Sequence, residues 1–342
     1  MKKNNPFTLN YGIRPQTFIE RDYETSDEII SAFEGENPLC NTCVIYGASG
    51  SGKTALLTEV SHKLAKSKEW VVVDLNAYNS LFSEFTTRVV EASIFRVSIL
   101  TTGYIALLEH YGFGFTDSVG KMEFVLDQLS KQNKRVLITV DGAVADESMA
   151  EMAAQFSTFL RKGYKIYLLM SVRFEDVFKM DDSSIPLSLK SIKCFLEPLR
   201  LDAVRDVYKS KLEVSDEEAA KLAAYTKGYP FAVQTLGALY YEYHDTKSED
   251  EIFGLTNEFL EEYVYAGIWS EMTSEEQSVI RALPEDGSGA KPEDILKQLD
   301  MDEKAATSCY MRLVNKGILD SDDDDNVSIL LPQFGIITKD YD

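Results

Sequence analysis

The sequence predicts an α/β fold in which a parallel sheet carries helices on both faces. Short runs of β-branched and apolar residues alternate along the chain with segments whose apolar residues recur at helical spacing. One run, Trp70–Leu75, is almost continuously apolar, as expected for a strand covered on both faces. A glycine-rich octet, Gly47–Thr54, joins the first run to a helical segment. Alternation of this kind is typical of βα units, whose connections keep the strands parallel.

The octet Gly-Ala-Ser-Gly-Ser-Gly-Lys-Thr fits the phosphate-loop pattern G-x-x-x-x-G-K-[ST]. A strand is predicted before it at Thr42–Tyr46, and a helix after it at Ala55–Leu64. Glycines let successive backbone N–H groups turn into one hollow, and the helix N-terminus adds the positive end of its dipole. Lys53 is expected to reach the β- and γ-phosphates and Thr54 to bind Mg²⁺. The predicted nucleotide contacts here are Gly47, Ala48, Ser49, Gly50, Ser51, Gly52, Lys53, Thr54 and Ala55.

A second candidate magnesium ligand is Asp141, which ends the apolar run Arg135–Val140. Further strands are predicted at Lys165–Met170 and around Ile192–Leu196. In parallel sheets, ligands bind at the carboxyl ends of the strands, where both the octet and Asp141 fall. We therefore predict that Asp141 holds the Mg²⁺ together with Thr54.

The residue after Asp141 is Gly142. Phosphate-loop proteins that hydrolyse their nucleotide usually carry an acidic base at this position. Loss of a positioned general base typically costs ~10²–10⁴-fold in rate. Asp146 or Glu147, in the following loop, could substitute for the missing base. The sequence thus favours Mg-ATP binding with hydrolysis that is slow or absent.

Three regions are predicted: a nucleotide-binding core at 1–200, a helical lid at 201–262 and a winged-helix domain at 263–342. The lid has no strand pattern and breaks at Gly228–Pro230. The last region shows three short helices and then a β-ribbon, the order of a winged helix. The predicted pieces are Ser274–Leu283, Pro292–Leu299, Asp302–Lys316, Ile318–Leu319 and Val327–Leu331.

Composition limits the partners and the compartment. The net charge of −21 over 342 residues argues against general affinity for nucleic acid or anionic lipid. No signal peptide is predicted, and the apolar stretch Ile94–Leu108 is too short to span a membrane. Four cysteines indicate a reducing compartment, the cytoplasm. Cys40 and Cys43 form a C-x-x-C pair, but a zinc site would need a second pair, so we expect a loop thiol beside a buried strand thiol.

In this motif order the chain resembles the signal-transduction ATPases with numerous domains, the STAND class of AAA+-related P-loop proteins, and especially compact archaeal and bacterial ATPases with a C-terminal winged helix. Phe18–Asp22 is similar to the motif near the adenine, although Glu20 replaces its usual glycine. Leu168–Arg173 looks like the sensor segment, and Gly228–Pro230 matches the G-x-P motif of the lid. The resemblance implies an ATP-dependent switch in which the lid and winged helix respond to the nucleotide. It implies adenine contacts at Ile19, Arg21 and Pro230, a γ-phosphate contact at Arg173, and catalytic roles for Lys53, Asp141 and Arg173.

Two alternatives to this switch stay open: a DNA-associated AAA+ ATPase of the origin-recognition type, and a non-hydrolysing ATP-binding scaffold for a partner protein. Lys304, Arg312 and Lys316 lie on the third winged-helix segment. Against them, residues 263–342 hold 7 basic and 17 acidic residues, and the wing carries Asp322–Asp325. Those charges repel a phosphate backbone, which favours a protein contact or self-association over DNA. No guanine-specific motif is evident, so the choice between ATP and GTP rests on the resemblance.

Overall fold

The computed structural model describes residues 4–9, 14–23, 25–35, 38–96, 118–182, 191–284, 289–299, 301–322, 326–339 and 341. The chain forms two compact units. The sheet unit comprises Tyr23–Tyr46 and Thr54–Phe195, and the lid unit comprises Met1–Asp22, Gly47–Lys53 and Leu196–Asp342. Two features named from the sequence fall wholly or mostly outside the described residues: the apolar stretch at 94–108 and Asp323–Asp325 of the wing. The sequence also indicates a break in helical pattern at 111–115, which lies outside the described residues as well.

The sheet unit is built on a five-stranded parallel sheet, counted over the described residues, with strand order β2-β3-β4-β1-β5. Every strand predicted from the sequence is present, which confirms the α/β class. Three strands, β2, β3 and β4, end one to three residues later than predicted, because backbone pairing continues past the apolar run; β1 matches its prediction and β5 ends one residue earlier. Their bounds are β1 Thr42–Tyr46, β2 Trp70–Asn76, β3 Arg135–Ala143, β4 Ile166–Val172 and β5 Ile192–Phe195.

Helices flank this sheet in the order that βα units require. The sequence Thr25-x-x-Glu28 predicts a capping box, and the structure has it: the Thr25 hydroxyl accepts from the Glu28 N–H at 3.1 Å, and the Glu28 carboxylate accepts from the Thr25 N–H at 2.9 Å. The apolar spacing of the sequence also predicts a helix from Met149; it begins at Glu147, because the Asp146 carboxylate caps the Met149 N–H at 2.9 Å. The helices are Ser26–Phe33, Lys53–Ala65, Leu81–Arg96, Ser118–Lys131, Glu147–Arg161 and Phe174–Asp182.

Residues 201–270 form the helical region of the lid unit, as predicted. All of them are described, and they contain no strand. The Ser215 hydroxyl caps the second helix by accepting from the Glu218 N–H at 3.2 Å. A π-helical turn at Glu261–Tyr265 was not predicted; it follows the fourth helix without a break. The helices are Leu201–Leu212, Asp216–Tyr225, Pro230–Tyr243, Glu249–Leu260 and Ala266–Ser270.

After the helix Ala266–Ser270, the described part of the C-terminal region contains three helices and then an antiparallel ribbon, in the predicted order. The helices end up to three residues earlier than predicted, and Asp302 caps the third helix from outside it. A further short helix, Phe334–Ile337, follows the ribbon. The assignment of this order to a winged helix stays a prediction. The elements are Ser274–Arg281, Pro292–Leu296, Glu303–Asn315, β6 Leu319–Ser321 and β7 Val327–Ile329.

Glu276 is a buried carboxylate that ties the first of these helices to the third. Its oxygens accept from the Lys316 ammonium at 3.1 Å and form an ion pair with the Arg312 guanidinium at 3.2 Å. The Thr273 N–H also donates to it, at 3.0 Å. Two of the three cations noted on the third segment are therefore engaged inside the domain.

We expect Glu276→Gln to lower the free energy of unfolding by about 3 kcal/mol, since it removes the buried carboxylate that pairs with the mostly buried Lys316 ammonium. Urea unfolding at neutral pH measures the change. Glu275→Gln is the matched control: Glu275 is the adjacent residue, is exposed, and should shift stability by no more than about 0.5 kcal/mol. Equal effects of the two substitutions would contradict a structural role for the buried ion pairs.

Among the helices that the structure describes, none combines the length and apolar character needed to cross a bilayer.

Candidate functional site

The backbone carbonyls of the phosphate loop all act as hydrogen-bond acceptors from Gly47 to Ser51. The Lys53 ammonium turns back over the loop and donates to the Gly47 and Ala48 carbonyls, both at 2.8 Å. It is therefore held beside the loop and has to exchange these contacts to bind a phosphate oxygen.

The other three carbonyls accept from donors elsewhere in the lid unit. The Tyr229 hydroxyl donates to the Ser49 carbonyl, and the Phe231 N–H donates to the Gly50 carbonyl at 3.2 Å. The Arg21 guanidinium donates to the Ser51 carbonyl at 2.7 Å. These three carbonyls, those of Ser49–Ser51, are called the loop shoulder below.

The loop shoulder determines where the loop amides point. In a planar trans peptide, the C=O and the N–H of the next residue point in opposite directions. Donors that hold the Ser49 and Ser51 carbonyls therefore direct the N–H groups of Gly50 and Gly52 to the opposite side of the loop. Amides turned together in this way form the anion-binding hollow that the sequence motif predicts.

Gly50 is required both by its backbone and by its neighbours. Its φ of +76° lies in the left-handed region that favours glycine. A Cβ at this position would overlap the Tyr229 hydroxyl and lie 3.1 Å from the Phe231 Cβ. Tyr229 and Phe231 thus approach the loop closely because Gly50 has no side chain.

The remaining predicted contacts of the lid unit lie around the same loop. Pro230 is the first residue of the lid helix Pro230–Tyr243, and its Cβ would lie 3.7 Å from a Cβ built on Gly52. Arg21 donates a second hydrogen bond, to the Glu197 carbonyl at 3.0 Å. Ile19 packs against the apolar cluster of the lid helices, and Ala48 belongs to the apolar cluster that includes Tyr229. The structure thus brings Arg21 and Pro230 to the loop, and their contacts with adenine stay predictions.

Ser51 and Ala55 complete the loop residues. Among the residues that the structure describes, the buried Ser51 hydroxyl oxygen finds no hydrogen-bond partner. A buried hydroxyl in this state fits a loop shaped for a polar ligand. Ala55 lies in the first turn of the helix Lys53–Ala65 and is partly buried.

The sheet unit places both predicted magnesium ligands together. The Thr54 hydroxyl donates to the Asp141 carboxylate, with distances of 2.8 and 3.1 Å to its two oxygens. Ser171, on β4, donates to the same carboxylate and accepts from the Gly142 N–H at 2.8 Å. Mg²⁺ prefers oxygen ligands, often one or two carboxylates together with phosphate and water. The donor set of Thr54 and Asp141 therefore fits Mg²⁺.

Gly142 has a backbone reason to be glycine. Its φ is +71°, and the register between β3 and β4 shifts between Val140 and Ala143, which marks a β-bulge. Most residues with a Cβ are strained in this conformation, and Asn and Asp tolerate it best. The bulge thus accounts for the missing acidic side chain without any appeal to catalysis.

Asp146 and Glu147, the two candidate substitutes for the missing base, both lie at the start of the helix Glu147–Arg161. Asp146 caps the helix Glu147–Arg161 and is engaged with the Met149 N–H. Glu147 is the first residue of that helix and is exposed. The structure thus gives Asp146 a structural function and leaves Glu147 as an untested substitute for the base.

Arg173, the predicted γ-phosphate contact, lies between β4 and the helix Phe174–Asp182. Its Nε donates to Asp176 at 3.1 Å, and half of the Arg173 side chain is exposed. Asp176 is fully buried, pairs with Lys179 at 3.7 Å and accepts from the Ala145 N–H at 3.5 Å. Asp176 therefore links the sensor segment to the loop after Asp141, and the γ-phosphate role of Arg173 stays a prediction.

Cys40 lies in the loop before β1 and Cys43 lies on β1, as expected from the sequence. Both are buried and neither forms a disulfide, and the Cys43 sulfur lies 3.5 Å from the Cys194 sulfur on the neighbouring strand β5. Burial raises the pKa of the Cys40 thiol. Over the described residues there is no group of three or more His, Cys, Asp or Glu side chains that could hold a metal ion.

Neither protein-family models nor curated proteins gave a match to this chain. Solved structures did. A Walker-type ATPase of Pyrococcus abyssi is similar over 97% of this chain and 99% of its own, with 13% identity and a TM-score of 0.66. Cdc6p from Pyrobaculum aerophilum is similar over 94% of this chain and 95% of its own, with 12% identity and a TM-score of 0.50. The chain therefore has the fold of the AAA+ P-loop ATPases, including the helical region and C-terminal domain that follow the sheet.

The sequence did not single out Ser171, the Tyr229 hydroxyl, Asp176 or Glu276. Ser171 had a usable signal, because it is a lone polar residue within the otherwise apolar and fully buried strand β4. Tyr229 and Asp176 act through partners distant in sequence or through burial, which a local pattern does not reveal.

Proposed function

We propose that the protein binds Mg-ATP through Gly47–Ala55 and acts as an ATP-dependent switch of the STAND type, with hydrolysis slow or lost. The observation that carries this proposal is the hydrogen bond between the Thr54 hydroxyl and the Asp141 carboxylate. It places two hard oxygen ligands side by side, and Thr54 directly follows the loop lysine, Lys53. The engaged carbonyls of the loop and the unpartnered Ser51 hydroxyl support it. Bound Mg²⁺ supplies charge neutralisation for the phosphates.

The energetics of a switch are adequate. A ligand at ~1,000 times its dissociation constant stabilises the binding-competent state by about 4 kcal/mol. That is sufficient to reverse a modest conformational preference. In this proposal the regions at 1–200, 201–262 and 263–342 act as core, lid and winged helix, and the protein works in the cytoplasm.

Thermal shift with ATP, ADP and GTP, each with and without Mg²⁺, tests the proposal. We expect Mg-ATP and Mg-ADP to raise the Tm and GTP to raise it less, with calorimetry giving the affinities. No shift with any of the three nucleotides at millimolar concentration would contradict nucleotide binding. A larger shift with GTP would overturn the choice of adenine.

Asp141→Asn should remove most of the Mg²⁺ dependence of ATP binding, since an amide oxygen replaces a charged ligand. We expect about a tenfold or greater loss of affinity in the presence of Mg²⁺ and little change in EDTA, because charge-assisted contacts contribute about 1.5–3 kcal/mol each. Asp127→Asn is the matched control, because Asp127 lies on the helix Ser118–Lys131 and accepts a hydrogen bond from the Tyr164 hydroxyl. An equal loss with and without Mg²⁺ would contradict the metal role of Asp141.

For the C-terminal domain we propose a protein partner or self-association over DNA. Arg312 and Lys316 are ion-paired with Glu276, which reduces the positive charge available to a phosphate backbone. The domain's net negative charge acts in the same direction. A salt-sensitive gel shift of duplex DNA at micromolar protein would contradict this and would favour the DNA-associated alternative.

A further inference from the structure

We infer that Tyr229 is a positioning residue for the phosphate loop, and that through it the C-terminal domain controls nucleotide affinity. The inference rests on the proposed nucleotide-binding function and adds to it a specific route of regulation. It starts from the loop shoulder, whose three carbonyls receive their hydrogen bonds from outside the loop.

The hydroxyl of Tyr229 acts on the loop backbone. By donating to the Ser49 carbonyl, it fixes the peptide plane between Ser49 and Gly50 and so fixes the direction of the Gly50 N–H. The next peptide, between Gly50 and Ser51, is held in the same way by the Phe231 N–H. Phe231 lies in the lid helix Pro230–Tyr243, which Tyr229 directly precedes. The loop amides are thus oriented by contacts within the protein itself, and preorganisation of this kind raises affinity by lowering the ordering cost of binding.

The ring of Tyr229 belongs to the core of the C-terminal domain. It lies 6.3 Å from the Tyr265 ring, which packs edge-on against Phe334 at 4.9 Å. The Tyr265 hydroxyl donates to the Pro332 carbonyl at 2.7 Å, in the segment between the ribbon and the last helix. Tyr265 ends the π-helical turn, a type of irregularity that is frequent at functional sites. One apolar cluster therefore extends from Ala48 of the loop to Phe334.

A second lid contact ties the same region to the ribbon. The Lys227 ammonium donates to the Ile329 carbonyl at 2.8 Å, two residues before Tyr229. A displacement of the C-terminal domain therefore moves the segment that carries Tyr229 from two directions. Because packed cores respond by discrete rearrangement rather than by smooth deformation, such a displacement changes the contacts of Tyr229 and Phe231 with the loop shoulder together.

The first test compares Tyr229→Phe with Tyr225→Phe. Tyr229→Phe keeps the ring in its cluster and removes only the hydrogen bond to the loop. We expect calorimetry to show about a fivefold loss of Mg-ATP affinity, within the range for one net hydrogen bond. Tyr225, on the preceding lid helix, bonds Asn257 instead, so Tyr225→Phe should bind within about twofold of wild type.

The second test reads the C-terminal domain directly. The chain has two tryptophans: Trp70 on β2 and Trp269, which lies 6.3 Å from the Phe334 ring. With 5-fluorotryptophan label, saturating Mg-ATP should shift the ¹⁹F resonance of Trp269 in wild type, and this shift should shrink by half or more in Tyr229→Phe and vanish in Tyr229→Ala. The Trp70 resonance, unchanged between free wild type and free variants, reports that the variants are folded.

The outcomes separate this inference from the proposed function. Wild-type protein that binds no nucleotide would overturn both. Wild type that binds, with Tyr229→Phe equal to it in affinity and in the Trp269 shift, would overturn the inference and leave the proposed function intact. A weaker Tyr229→Phe whose Trp269 shift at saturation is as large as that of wild type would overturn the coupling to the C-terminal domain.

Discussion

Lys53→Ala should weaken Mg-ATP binding by about 100-fold. The ammonium is the only side-chain cation that the motif provides, and its charge-assisted hydrogen bonds to two phosphates amount to about 3 kcal/mol, or roughly two decades in dissociation constant. In the structure the same ammonium bonds the Gly47 and Ala48 carbonyls. Its loss therefore affects the free loop as well, and the Tm without nucleotide has to be measured alongside the affinity.

Lys63→Ala is the matched control for this prediction. Lys63 lies in the same helix, Lys53–Ala65, and its ammonium pairs with Asp27 at 2.9 Å and bonds the Ser26 hydroxyl. Its removal should lower stability by no more than about 1 kcal/mol and leave nucleotide affinity unchanged. Lys53→Arg gives a second comparison, since a planar guanidinium keeps the charge but not the compact geometry of the ammonium. Binding by Lys53→Ala within threefold of wild type would contradict the site.

The parts of the site that the sequence predicted are those encoded by consecutive residues. The octet Gly47–Thr54 carries its own chemistry, and an apolar run ending in Asp141 locates a carboxylate at the end of a strand. Parallel strands align such ends, so the meeting of Thr54 and Asp141 follows from local patterns alone.

The parts that the sequence did not predict depend on tertiary contacts. The resemblance implies an adenine contact for Arg21, which stays a prediction; the hydrogen bonds of its guanidinium to the Ser51 and Glu197 carbonyls were not predicted. Backbone carbonyls are present at every residue, so no sequence pattern indicates which of them a side chain will choose. Glu276 also has no distinguishing sequence pattern. Its burial between the Arg312 and Lys316 cations depends on the packing of segments that are distant in sequence.

Restoring an acidic side chain at position 142 should produce a large gain in activity. We expect Gly142→Asp to raise the steady-state rate of phosphate release by about 100-fold, the lower end of the range for a positioned general base. There is room for the side chain, because no atom of the described residues lies within 4 Å of a Cβ built there. Aspartate suits the φ of +71° better than glutamate does, so it is the first substitution to test.

Gly142→Asn separates chemistry from backbone effects. Asparagine has the same shape and tolerates the left-handed conformation equally well, so both variants should lose about 1 kcal/mol of stability relative to glycine. Because only the carboxylate can accept a proton from water, turnover should rise in Gly142→Asp and stay at the wild-type level in Gly142→Asn. A wild-type rate of several turnovers per second, abolished by Lys53→Ala, would show that another group already acts as the base. Equal rates in the two variants would instead show that the bulge at β3 holds position 142 where its side chain cannot reach the attacking water. The pair of variants therefore distinguishes a site that lacks only its base from one whose backbone has been reshaped for binding alone.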